Sequence, residues 1–200
     1  ALTALTFALG MVQKSTCYAT SWQDGDLRYV HMCYSDLPYL YTGRGFAELN
    51  WPYDDDSQVR ERYAVMEYPV GISYWAWGTA WVTHWVSGSP DISPRYDQPA
   101  DSLAGDPAIV KEMKTFVVVN ALGFALLALI SSAFLVRVNP GRPWDAAGFA
   151  LAPPLALTGL INWDMVAVVL VAGALWSWAR GRPFLTGVLI GLGTAAKLYP

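Results

Sequence analysis

Thr115 to Val136 is a run of 22 residues without a single charge. As an α-helix rising 1.5 Å per residue it spans ~33 Å, enough to cross a hydrocarbon core of ~30 Å. A chain built around such a segment reads first as a membrane protein. Its composition agrees: charged residues make up 14% of the chain and hydrophobic ones 54%, whereas a soluble domain carries about a quarter charged residues. The ten Trp suit membrane–water interfaces. A net charge of −3 excludes a nucleic-acid binder driven by bulk basicity.

Charge divides the chain in two. Residues 14–114 hold 8 Lys/Arg against 14 Asp/Glu, and residues 115–200 hold 5 against 2. The first stretch reads as an aqueous loop. The second reads as four membrane helices, over about 115–136, 144–162, 164–179 and 183–198. Pro153-Pro154 interrupts the second of these, which membrane helices tolerate when neighbours satisfy the freed carbonyls. The last two are short and need a thin bilayer or flanking residues. Residues 1–13 read as the end of a first transmembrane helix, with the apolar part of a signal peptide as the alternative. A start at Ala1 and a stop at Pro200, just after an apolar run, are expected of a piece of a longer polytopic protein. Gly187, Gly191 and Gly193 suggest close helix packing in the last span.

Orientation follows from the arginines. Arg137 and Arg142 lie in one short loop and Arg180 and Arg182 in another, so both loops are expected on the cytoplasmic side. Residues 14–114, Asn162-Trp163-Asp164 and Lys197-Leu198-Tyr199-Pro200 then lie outside. This holds if Val70–Val86 does not span the membrane. Tyr74, Trp77, Trp81 and Trp85 recur there at helical spacing, which suits a helix lying in the interface plane. An ordinary transmembrane helix is the alternative.

Several residues in the outer region carry chemistry. Cys17 and Cys33 are disulfide candidates in an oxidising exterior, with two free thiols as the alternative. Asp36 sits among apolar and aromatic neighbours in Cys33-Tyr34-Ser35-Asp36-Leu37-Pro38-Tyr39, where partial desolvation suits a general base. Asp24-Gly25-Asp26 and Asp54-Asp55-Asp56 have D-x-D spacing, but in hydrophilic surroundings they read better as turn carboxylates than as metal ligands. Glu67 precedes the 70–86 helix, as a site residue or an N-terminal cap. Asp164 and Lys197 are ionisable groups at the ends of apolar runs and so are functional candidates. A helix cap for Asp164 and a snorkelling lysine are the structural alternatives. His31 and His84 lack partners at metal-ligand spacing, and no metal site is expected. These residues alone do not separate an enzyme from a transporter or flippase working through Asp164 and Lys197, or from a non-catalytic membrane partner.

The order of the motifs resembles the GT-C class of polytopic glycosyltransferases, in particular glycosyltransferase family 87, whose members use polyprenyl-phosphate mannose, and the related enzyme that adds the first mannose to GPI anchors. The resemblance rests on Tyr34-Ser35-Asp36, Trp51-Pro52-Tyr53, Glu67-Tyr68-Pro69, Asn162-Trp163-Asp164 and Lys197-Leu198-Tyr199-Pro200. It implies an all-α polytopic bundle, here truncated, with an extracytoplasmic first loop that contains interfacial helices. Further helices are implied beyond Pro200. The implied activity is inverting mannosyl transfer from a polyprenyl-phosphate sugar to a glycolipid or polysaccharide acceptor, on the extracytoplasmic face of a bacterial plasma membrane. Asp36 would be the catalytic base. Lys197 and Tyr199 would bind the donor phosphate, while Glu67, Tyr68, Asn162 and Asp164 would contact substrate. Some relatives carry a second aspartate two residues after the first; Pro38 stands there in this chain. The implied transfer is therefore expected to use no cofactor and no metal, with a divalent ion held by Asp24, Asp26 or Asp54 as the alternative; the chain's other partners are membrane lipids.

Overall fold

The computed structural model describes residues 1–198, and Tyr199 lies outside them. The described residues form helices and no strand. In chain order these are α1 (Leu2–Ala19), α2 (Leu27–Val30), α3 (Asp36–Gly43), α4 (Ser57–Arg62), α5 (Val70–Val86), α6 (Ser93–Tyr96), α7 (Pro107–Val138), α8 (Ala147–Ala150), α9 (Pro153–Thr158), α10 (Met165–Ala179) and α11 (Pro183–Ala196).

The central element is α7. Asp106 caps it, accepting from the N–H groups of Ala108 at 2.7 Å and Ile109 at 3.3 Å, and Pro107 occupies the first turn where its missing N–H costs nothing. The cap starts the helix well before Thr115. It stops at Asn139, whose extended backbone is the conformation favoured ahead of Pro140. Its 32 residues reach ~48 Å. Among the described residues it is the one helix long and apolar enough to cross a membrane. The shorter apolar helices α10 and α11 pack side by side, and α10 also packs on α7. A Cβ on Gly173 of α10 would meet the Leu189 side chain at 3.3 Å and the Phe134 ring at 3.4 Å. Glycine there sets the spacing of the three helices. Of the three α11 glycines expected to pack closely, Gly193 is buried, while Gly187 and Gly191 face open space among the described residues.

A single helix over 144–162 does not form. The segment is a 3₁₀ turn at Pro143–Ala146 followed by α8 and α9. Pro153-Pro154 removes two successive backbone donors and forces Ala152 into an extended conformation, so the chain restarts its helix there. The broken segment wraps α1: a Cβ on Gly10 would lie 2.5 Å from the Ala156 carbonyl oxygen. α1 itself continues past residue 13 to Ala19.

Val70–Val86 is one uninterrupted helix. Its small side, Ile72, Ala76, Ala80 and Thr83, is buried, and Tyr74, Trp81 and Trp85 are exposed. Trp77 is covered by Trp51, ring centroids 5.3 Å apart.

Two ion pairs, each with a buried carboxylate, hold the segments before α7 together and to it. Arg62 grips Glu48 at 2.5 Å and also donates to the carbonyls of Gln98 and Arg95. Arg95 reaches across to Glu112 on the first turns of α7 at 2.5 Å, where Tyr41 also donates at 3.0 Å.

Candidate active site

The segment leading to Asp36 is held almost atom by atom from α1 and the turn after it. Cys17 and Cys33 form a disulfide, Cα atoms 5.8 Å apart. Four consecutive carbonyls then accept from side chains. Gln13 donates to His31 and Met32, buried Lys14 to Met32 at 3.3 Å and Tyr34 at 2.9 Å, and Trp22 to Cys33 at 3.1 Å. Closing a loop of this size is worth roughly 3 kcal/mol in the chain-entropy model. A Cys17→Ser/Cys33→Ser variant is therefore expected to lose about that much stability, read as a lower thermal midpoint of purified protein. An unchanged midpoint would show that the brace holds without the covalent link.

Past this brace the chain enters α3. Ser35 is its cap, accepting from Leu37 N–H at 3.4 Å and donating to the Ile161 carbonyl at 3.3 Å. Asp36 N–H donates to the same carbonyl at 2.7 Å. The first turn of α3 is thereby fastened to the loop that carries Asn162 and Asp164.

The Asp36 carboxylate is half-buried, and each of its oxygens accepts from a phenol. Tyr34 donates to Oδ1 at 2.5 Å and Tyr68 donates to Oδ2. Burial, then the hydrogen bond to Asp36, pushes the Tyr34 hydroxyl up to about 12. Burial also raises Tyr68, followed by its bond to Asp36 and the negative charges of Asp36 and Asp164. Both phenols therefore stay protonated and remain donors at neutral pH. Tyr34 stacks on Tyr39, centroids 5.7 Å apart, and Tyr68 meets the buried Trp163 edge-on at 5.4 Å.

Trp163 is fixed from below. Its indole N–H donates to Asn120 Oδ1 at 2.9 Å, which also accepts from Trp75 at 3.1 Å. Asn120 Nδ2 returns to Thr79 on α5 and to the Phe116 carbonyl. One buried amide thus joins α5, α7 and the Asn162-Trp163-Asp164 loop.

Asp164 and Lys197 form an ion pair, with 44% and 39% of their side chains exposed. Asp164 stands at the start of α10 but makes no capping bond; Asn162 instead accepts from the Asp164 N–H at 3.0 Å. Nor does Glu67 cap α5. It pairs with Arg44 through both oxygens, at 2.8 and 3.0 Å. Burial raises its proton affinity, but the Arg44 hydrogen bonds outweigh that and leave the carboxyl below its usual range. Asp24 and Asp54 close turns, and Asp56 caps α4. No group of three or more His, Cys, Asp or Glu among the described residues is placed to hold a metal ion.

The ion pair stands at the head of an apolar groove of about 430 Å³. Asp164, Ala167, Val168, Val171, Ala172 and Leu175 line it from α10, with Leu135 opposite and Lys197 at the polar end. These α10 positions recur at helical spacing and form a stripe ~16 Å long. A second cleft of about 500 Å³ shares Phe149, Asp164 and Val168 and continues past Asn162 to Thr158 and Pro154.

The structure joins Asp36 to Tyr68, and Asp164 to Lys197 beside Asn162, with the Tyr68 ring against Trp163 linking the two groups, while Glu67 is engaged elsewhere and Tyr199 lies outside the described residues. Lys14 and Asn120 were not singled out from sequence, and Tyr34 entered only as part of the Tyr34-Ser35-Asp36 motif, with no role of its own. A signal existed for two of them: Asn120 is the one amide in an uncharged run, and Lys14 is a charge on an otherwise apolar helix.

Residues 107–200 match the family model described as glycosyltransferase family 87. The match supports a relation to that family and, with it, glycosyltransferase activity at a membrane. Asn162, Asp164 and Lys197 fall within the matched residues, and Asp36 and Tyr68 precede them. Searches of curated proteins and of solved structures return no match.

Proposed function

We propose that the chain is part of a GT-C-type polytopic enzyme that transfers a sugar, mannose by resemblance, from a polyprenyl phosphate to an extracytoplasmic glycolipid or polysaccharide. The observation that carries this reading is the α10 groove, apolar along its length and closed at one end by the Asp164–Lys197 ion pair, whose ammonium a phosphate can engage. An amphiphile with a long apolar chain and an anionic head fits that shape: the isoprenoid on Val168, Val171 and Leu175, the phosphate at Lys197. The proposed site faces the outside of a bacterial plasma membrane.

The chemistry follows. The acceptor hydroxyl gives its proton to Asp36 as its oxygen bonds to the anomeric carbon. The bond from that carbon to the phosphate oxygen breaks on the opposite face, inverting the configuration. Polyprenyl phosphate leaves with the bond's electrons, and its growing charge meets the Lys197 ammonium, a cation already held in place before the charge develops. Asp164 holds Lys197 in place until the phosphate arrives, and Asn162, lining the adjoining cleft, is a candidate sugar contact. The reaction as drawn uses no metal.

Lys197→Ala is expected to raise the apparent KM for a radiolabelled polyprenyl-phosphate sugar about tenfold and to change acceptor KM little; removing a hydrogen bond to a charged group costs ~1.5–3 kcal/mol. An unchanged donor KM would remove Lys197 from the phosphate site. A transporter using the same pair would move its substrate into proteoliposomes without forming product.

A further inference from the structure

We infer that Tyr34 and Tyr68 are the positioning residues of Asp36, one phenol for each carboxylate oxygen, and that neither serves chiefly to bind substrate. The inference rests on the assignment of Asp36 as the base and revises the role that the resemblance gives Tyr68.

A carboxylate on a single Cα–Cβ stem can rotate about two bonds, and a base must aim one lone pair at the incoming hydroxyl. The backbone of Asp36 is already fixed by Ile161. The two phenols fix what remains, because Tyr34 and Tyr68 approach different oxygens from different parts of the chain. Neither ring is free to drift. Tyr34 is stacked on Tyr39 and its carbonyl is held by Lys14, and Tyr68 is seated edge-on against Trp163, itself anchored to Asn120. With one hydrogen bond on each oxygen, lone pairs remain to receive the acceptor proton. Tyr68 also carries the fixation further. Its ring rests on the loop that presents Asp164, and a Cβ on Gly71, three residues on, would meet the backbone of Ala195 and Ala196 beside Lys197 at 2.9 Å. The segment that carries Tyr68 thus also packs, at the start of α5, against the end of α11.

The test uses the full-length enzyme, with Tyr34→Phe and Tyr68→Phe each made in the wild-type and in the Asp36→Asn background. Phenylalanine keeps ring packing and removes only the donor. Each single variant is expected to lose about tenfold or more in kcat, with donor and acceptor KM within twofold and an unchanged thermal midpoint. In the Asp36→Asn background neither change should lower the residual rate further, because there is no longer a carboxylate to aim. A rise in KM at constant kcat would make Tyr68 a substrate contact and overturn the inference. So would wild-type kcat in both single variants while Asp36→Asn is inactive, and that outcome leaves the base assignment standing. An active Asp36→Asn enzyme would overturn the base assignment and the inference together.

Discussion

Asp36→Asn is expected to lower sugar transfer from a polyprenyl phosphate by about a thousandfold, within the range for removing a general base. The amide is nearly isosteric, so the protein should accumulate as wild type does. The surroundings explain why the substitution is severe at the site and mild elsewhere. Both phenols donate to the carboxylate, and an amide can accept from only one of them through its oxygen. Its NH₂ group would face the other hydroxyl, which can turn to accept. What disappears is the proton acceptor. Product formation from radiolabelled donor, with protein level checked by immunoblot, measures the effect. Full activity would end the proposed mechanism.

The second large effect is structural. Arg95 and Glu112 are both nearly inaccessible, and the pair links the segments before α7 to its start. Arg95→Met leaves the Glu112 carboxylate buried with the Tyr41 hydroxyl as its remaining side-chain partner. Removing one member of a buried pair costs about 3–5 kcal/mol. For a chain of this size that is a fall on the order of 10 °C in thermal midpoint. Intrinsic tryptophan fluorescence of the purified protein in detergent reads it directly. The double variant Arg95→Met/Glu112→Leu should recover most of the loss, since no unpaired charge is then buried. An equal fall in single and double variants would mean that the pair supplies net attraction and is more than a matched pair of costs. Tyr41 lies on α3, so loosening this pair should also lower transfer through the mounting of Asp36.

What could be read from the chain alone was what depends on neighbours in sequence. The uncharged run placed the core of α7, because a helix that long and apolar needs only its own composition to be recognised. The aromatic periodicity placed the helix at 70–86, and Pro153-Pro154 marked where a span would break, although the break proved complete where a tolerated kink was expected. Cys17 and Cys33 were legible as a candidate disulfide, with free thiols as the alternative, and the fold joins them. Helix starts were legible less well: α7 begins at Asp106 because that side chain caps it, a fact set by a loop conformation.

The partners of each polar side chain were decided by tertiary structure. Asp164 could cap a helix or meet a cation, and the folded chain gives it Lys197, 33 residues away. Glu67 could line a site, and packing gives it Arg44. Asp36 looked like a carboxylate among aromatics, but only the fold shows which aromatics reach it and on which oxygen. Periodicity and composition fix which face of a helix is apolar, whereas a hydrogen bond between distant residues requires two helices to be placed within an ångström of one another, and that placement is set by the small residues and buried amides between them.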